Sequence, residues 1–153
     1  MTASIFQISR SNGGVPKEAV PEVMIRTAGL EGDWQLNRVH HGGPDRAVCL
    51  FPLELIQQLQ SEGHPLVAGS VGENITTVGL NWTLVTPGTQ LLLGDRVLLE
   101  VVSYTVPCRT IQGAFADHKF GRISQKTHPG SSRVYARVLA EGVVRVGDPV
   151  VMV

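Results

Sequence analysis

The run Leu91-Leu92-Leu93-Gly94-Asp95-Arg96-Val97-Leu98-Leu99-Glu100-Val101-Val102 decides how the rest of the chain is read. Two apolar stretches flank a Gly-Asp pair, which predicts a β-hairpin with a two-residue turn. Toward the C-terminus, residues 110–125 predict helix in pieces. Residues 134–139, 143–146 and 150–153 predict closing strands, separated by Glu141-Gly142 and Gly147-Asp148. Toward the N-terminus, residues 4–8, 23–26 and 47–51 predict three more strands. Residues 52–62 predict the clearest helix: Pro52 suits a first turn, Leu55, Ile56 and Leu59 share one face, and Gly63 ends it. Residues 67–79 read as a glycine-punctuated loop. Residues 32–45 have no hydrophobic period and read as a loop of a length that is usually functional.

Many short strands, Gly-Asp and Gly-Pro turns and one clear helix predict a mainly β, barrel-like domain with a few helical insertions. No linker, repeat or low-complexity tract divides it, so a single domain over residues 1–153 is expected. Helices do not alternate regularly with strands, and neither GxGxxG nor GxxxxGK[ST] occurs, which argues against a doubly wound nucleotide-binding fold. The 153 residues are enough for a sizeable core. Thirteen Lys and Arg balance thirteen Asp and Glu, and no basic run stands out, so nucleic acid is not an expected partner. No apolar stretch is long enough to span a bilayer and no signal-peptide pattern opens the chain, so the expectation is a cytoplasmic protein without membrane attachment. Cys49 and Cys108 have no CxxC spacing and are expected to be free in a reducing compartment. A monomer is the default, with a dimer through sheet edges as the alternative.

Four groups of residues could carry chemistry. In Thr105-Val106-Pro107-Cys108-Arg109-Thr110, a proline fixes the backbone before a thiol at a predicted strand-to-helix junction. A thiol at a helix start beside a cation is expected to be more acidic than usual, and thiolate is the form that attacks electrophiles and binds soft metals. The alternative is an inert cysteine packed as a small hydrophobe, which is also the reading of Cys49 within its apolar run. The segment from Gly32-Asp33-Trp34-Gln35 to His40-His41-Gly42-Gly43-Pro44-Asp45-Arg46 offers donors on a backbone that a ligand can approach closely. Adjacent histidines in extended chain point opposite ways, which weakens a two-histidine zinc site. Gly72-Glu73-Asn74 could read a heterocycle by hydrogen bonds, or be a local turn. Arg46, Arg109, Arg133 and Arg137 are candidate anion readers, or members of a solvated face.

Taken in order, these pieces resemble the MOSC domain family, named after the C-terminal domain of molybdenum-cofactor sulfurase. The resemblance runs through Gly13-Gly14-Val15-Pro16-Lys17, Gly29-Leu30-Glu31-Gly32-Asp33, His40-His41-Gly42-Gly43-Pro44-Asp45-Arg46-Ala47 and Gly69-Ser70-Val71-Gly72-Glu73-Asn74. It resumes at Pro107-Cys108 and ends with Arg133-Val134-Tyr135-Ala136-Arg137-Val138-Leu139 and Gly147-Asp148. The small stand-alone bacterial branch, similar to proteins that handle hydroxylaminopurines, looks closest. Many members carry an arginine just before the proline of the cysteine motif. Here residues 104–107 read Tyr-Thr-Val-Pro.

The resemblance implies a barrel-like β fold with a cleft for the molybdenum cofactor (molybdopterin), which need not survive purification. It implies Cys108 as the catalytic residue and molybdenum ligand. His41, Arg46 and Asn74 match motif positions and become candidate cofactor contacts, and Arg109 and Arg137 follow from charge and position. Two activities follow. One is reduction of N-hydroxylated compounds, with a separate reductase as electron donor, since no flavin, haem or iron–sulfur motif occurs. The other is a sulfur carrier with a persulfide on Cys108, loaded by a cysteine desulfurase. A non-catalytic cofactor-binding module is the third reading. A cysteine–histidine hydrolase using His41 or His118 has only residue types behind it.

Overall fold

The computed structural model describes residues 2–33 and 43–153. Eleven strands are present among them: β1 (Ser4–Arg10), β2 (Glu18–Val20), β3 (Glu22–Arg26), β4 (Gly29–Leu30), β5 (Val48–Pro52), β6 (Ile75–Val78), β7 (Gln90–Leu93), β8 (Val97–Tyr104), β9 (Val134–Ala140), β10 (Gly142–Arg145) and β11 (Val150–Met152). One α-helix, α1 (Leu53–Ser61), lies among the described residues, with short 3-10 turns elsewhere. The fold is mainly β, as expected.

Eight strands form one sheet in the order β11-β7-β8-β9-β5-β6-β1-β2, and β10-β3-β4 form a second. Among the described strands only β5 and β6 pair in parallel, because α1 carries the chain across between them. All five residues of β5 are buried, as a strand covered on both faces must be. The large sheet is not closed into a barrel. Its ends are nevertheless drawn together by a bridge between Ser4 and Pro149. There the Ile5 amide donates to the Asp148 carbonyl and the Val150 amide to the Ala3 carbonyl, both at 2.9 Å. That contact gives the barrel-like curvature without a continuous ladder.

Three expectations change in detail. Leu93 pairs with Val97, so the hairpin turn has three residues, Gly94-Asp95-Arg96, rather than two. The Gly94 amide is held by the Pro149 carbonyl at 2.9 Å instead of closing the hairpin. Residues 75–78, placed in a loop, form β6. Its Thr76 and Thr77 are fully buried, so the polar letters conceal a core strand. Residues 134–140 and 142–145 are consecutive strands of different sheets, β9 pairing with β8 and β5, and β10 with β3.

Two apolar clusters result. One fills the space between the sheets, with Ile5, Ile8, Ile25, Leu50, Leu91, Leu99 and Val144 among its members. The other packs Phe51, Ile56, Leu59, Val71, Ile111, Phe115 and Ile123 between α1 and the 3-10 segments at Arg109–Ala114 and Phe120–Ile123. This second cluster fixes the segment that begins at Cys108.

Candidate functional site

Cys108 ends a four-residue coil after β8 and caps the 3-10 turn Arg109–Ala114 with extended backbone. The expected junction is therefore present, with a 3-10 turn in place of an α-helix. The coil is pinned at its root. Thr105, buried, donates its amide to the Arg133 carbonyl at 2.9 Å, and the Ser132 hydroxyl donates to the Thr105 carbonyl at 3.3 Å. The chain then surfaces: Val106 is 77% exposed and Cys108 is half-buried. The Cys108 sulfur lies 2.8 Å from the Thr110 hydroxyl. Cys49 is buried, its sulfur 3.8 Å from the Thr105 hydroxyl. Burial pushes the Cys49 thiol up, with the Arg133 charge opposing.

Tyr135 joins these residues. It lies on β9, opposite Cys49 on β5 and Ser103 on β8. Burial pushes its phenol upward, Cys49 adds to the shift, Arg133 and Arg46 oppose it, and Cys108 raises it further. Arg46, in the 3-10 turn Pro44–Arg46, places its guanidinium carbon 5.7 Å from the centre of the Tyr135 ring. Tyr135 stands within the motif Arg133-Val134-Tyr135-Ala136-Arg137-Val138-Leu139, where its letter alone assigns it no role. The alternation along β9, which turns it toward Cys49, was the available signal.

Asn74 lies in the interior. Its Oδ1 accepts from the Cys49 amide at 2.9 Å, and its Nδ2 donates to Asp33 Oδ2 at 2.9 Å and to the Ser9 carbonyl at 3.3 Å. Asp33 also accepts from Lys17 Nζ at 2.8 Å and from the Ser11 amide at 2.9 Å. The Lys17–Asp33 pair is almost wholly desolvated, with side chains 6% and 2% exposed. A lysine after a glycine-rich loop reads as solvated, so nothing in the sequence announced this buried pair. Glu73 is buried as well. Its Oε2 accepts from the Gly69 amide and the Thr76 hydroxyl, while Oε1 has no partner. Burial pushes its carboxyl above the usual range.

The remaining candidates separate. Arg137 projects from β9 between Asp45, at 3.6 Å, and Glu100, at 3.4 Å. Arg109 is exposed at the start of its 3-10 turn. His41 lies outside the described residues. Arg46 lies over the ring of Tyr135, Tyr135 pairs with Cys49 across β9 and β5, Asn74 holds the Cys49 amide, and Arg137 reaches the turn of Arg46 through Asp45. Among the described residues no group of three or more His, Cys, Asp or Glu side chains could hold a metal ion. None of the helices among the described residues is long and apolar enough to cross a membrane.

A β fold with one half-exposed thiol beside arginines and a buried polar network defines the class: the MOSC domain family matches residues 37–151, and this chain belongs to it. It is 34% identical over 136 residues to the uncharacterized protein YflK of Bacillus subtilis (strain 168), covering 88% of this chain and 60% of that protein. It is 32% identical over 136 residues to protein YiiM of Escherichia coli (strain K12), covering 86% of this chain and 59% of that protein. The chain thus spans about 60% of the length of the curated relatives it matches. The crystal structure of YiiM from Geobacillus stearothermophilus is similar with a TM-score of 0.74 at 27% identity, covering 99% of this chain and 75% of that one.

Proposed function

We propose that this protein binds the molybdenum cofactor and reduces N-hydroxylated compounds, with Cys108 as the protein's ligand to the metal. The carrying observation is the half-exposed Cys108 thiol, presented by a coil pinned at Thr105, in a chain of the MOSC family. The donor set fits such a group. Thiolate is soft and suits a thiophilic metal. A phosphorylated pterin needs cations and amide donors. Arg133 meets that need with a buried Nε that has no hydrogen-bond partner.

When bound, the cofactor supplies two-electron redox chemistry at its metal. The chain's own residues hold and orient it. Cys108 presents sulfur from a coil pinned by Thr105 and Ser132, and Thr110 fixes the direction of that sulfur. Arg46, held over the Tyr135 ring, supplies positive charge. Asn74 and Asp33 set the backbone of Cys49, on which Tyr135 rests. His41, Arg109 and Arg137 complete the proposed cofactor contacts. A separate reductase supplies electrons, and the protein works in the cytoplasm.

The test is molybdenum content after expression in a cofactor-competent host, with benzamidoxime as substrate and a chemical electron donor. The wild type is expected to carry molybdenum and reduce benzamidoxime, and Cys108→Ser to lose at least 100-fold of the activity, the order of effect of removing one key catalytic group. Equal metal content and activity in the two proteins would overturn the assignment. A sulfur adduct on Cys108 after incubation with a cysteine desulfurase, with no molybdenum in protein from the cofactor-competent host, would favour the sulfur-carrier reading instead.

A further inference from the structure

Charge is unevenly placed along this chain. Thirteen Lys and Arg balance thirteen Asp and Glu over all 153 residues, yet residues 105–133 hold five of the cations and a single carboxylate, Asp117. The other eight cations stand against twelve carboxylates. Two of the five are accounted for by the fold: Arg133 is buried, and Arg122 is bonded to Glu62. Arg109, Lys119 and Lys126 remain. All three are exposed, and none of the ion pairs among the described residues includes them.

The fold holds these cations on the segment that Cys108 opens. Successive turns close it: the Ile111 amide donates to the Cys108 carbonyl, the Lys119 amide to the Ala116 carbonyl and the Arg122 amide to the Lys119 carbonyl, each at 3.2 Å. Ile111, Ala114, Phe115 and Ile123 enter the second apolar cluster, which leaves the charged residues to the solvent side. Asp117 and His118 have left-handed backbone, at φ 54° and 56°, so the fold rather than local preference sets the turn before Lys119. The exposed Val106 adds apolar surface next to Cys108. Apolar surface beside charge of one sign suits a protein surface of the opposite sign. It suits nucleic acid less well, because Phe115 and Phe120 pack with the second cluster instead of standing outward to stack on bases.

We propose that the exposed side of residues 106–128 docks an acidic electron-transfer protein, with Arg109, Lys119 and Lys126 as its charged contacts. The proposal rests on the reductive reading above for what the partner delivers, and the docking itself rests on the charge. In that reading each turnover takes two electrons from the partner and two protons from solvent, and converts N–OH to N–H and water. The partner is oxidised by the same two electrons. Opposite charge steers two proteins together, so the association rate is the quantity to read.

The experiment measures association of the purified protein with an acidic flavodoxin by surface plasmon resonance at rising ionic strength. The wild type is expected to bind, with an association rate that falls steeply as salt is added. At low salt Lys119→Glu/Lys126→Glu should slow association about tenfold or more. Arg96→Glu/Arg145→Glu makes the same change of net charge on exposed residues elsewhere and should stay within about twofold of the wild type. Should the Glu pair fail to fold, Lys119→Gln/Lys126→Gln is the milder substitution and should slow association several-fold. No binding by the wild type, or equal loss in the Lys and Arg pairs, would overturn the docking face. Tighter binding of a single-stranded oligonucleotide than of flavodoxin, lost in the Lys pair, would assign the face to nucleic acid and overturn it too. Benzamidoxime reduction with dithionite reads the reductive assignment alone. There the Lys pair should match the wild type, while losing rate with reduced flavodoxin as donor. Salt-dependent flavodoxin binding without reduction by either donor would keep the docking face and sink the reductive reading. Reduction with dithionite but no flavodoxin binding would do the reverse.

Discussion

Asn74 illustrates how a motif residue can act at one remove from a ligand. Both ends of its amide are engaged by protein groups: Cys49 on one side, Ser9 and Asp33 on the other. Replacing it by leucine leaves the buried Cys49 amide unsatisfied and takes a donor from Asp33. Asn74→Leu is expected to cost about 2–4 kcal/mol in a urea melt, with the Lys17–Asp33 pair left one bond short. Glu73 makes a prediction of the opposite character. Its carboxyl is raised by burial, so the folded protein holds that proton to higher pH than the unfolded chain does. Where the unfolded chain binds fewer protons, stability falls as pH rises. This contribution is therefore lost over a window that opens at the ordinary glutamate pKa, about 4.3, and extends upward. Glu73→Gln, which cannot ionise, should show a shallower decline of urea midpoint across that window. A slope equal to the wild type's would show that Glu73 does not titrate there.

The element that carries Cys108 is stabilised from its far end. The 3-10 segments have no long helical hydrogen-bond ladder, so packing holds them: Ile111, Phe115 and Ile123 enter the cluster with Phe51, Ile56 and Leu59. Arg122 adds two hydrogen bonds to Glu62 at the end of α1, at 2.9 and 3.0 Å. The Ala116 amide donates to His64 Nδ1 at 3.0 Å, and the His64 ring meets Phe115 edge-on. Ile123→Ala should cost about 2–5 kcal/mol, the usual range for emptying a core site. Hydrogen exchange should accelerate first in residues 109–123 and not in β8 or β9. Uniform acceleration across the molecule would mean that this segment does not open separately. Sequence reading found this stretch as broken helix. Its partner was not legible, because the contact with the end of α1 joins residues 60 positions apart.

Across the whole molecule, the motif loops are pressed against one another backbone to backbone. Gly69 shows the constraint. Its φ is +90°, and a Cβ there would stand 2.6 Å from the Lys17 carbonyl. The Lys17 amide in turn donates to the Gly69 carbonyl at 3.0 Å. Neither backbone can retreat, since Lys17 is locked to Asp33 and the Gly69 amide to Glu73. Gly69→Ala should therefore destabilise by about 1–3 kcal/mol or more, from left-handed backbone strain plus the clash. A thermal melt within a degree of the wild type would show that the loops can separate. The same close approach explains why two stretches more than fifty residues apart can form one buried polar network.

By itself the sequence determined the β-rich class, the strands flanking the hairpin, the helix over most of 52–62 and the family, because alternation, breakers and motif order are local signals. It also identified Cys108 as the thiol to watch, from a proline and an arginine beside it. Tertiary structure alone decided that Thr76 and Thr77 are core, that β9 and β10 belong to different sheets, and that Tyr135 meets Arg46 and stands opposite Cys49. It alone turned Lys17, Asp33 and Asn74 into a desolvated network. Burial and pairing of polar groups depend on which distant segments meet. A linear pattern records what a residue can donate or accept, and only the packed fold records what stands opposite it.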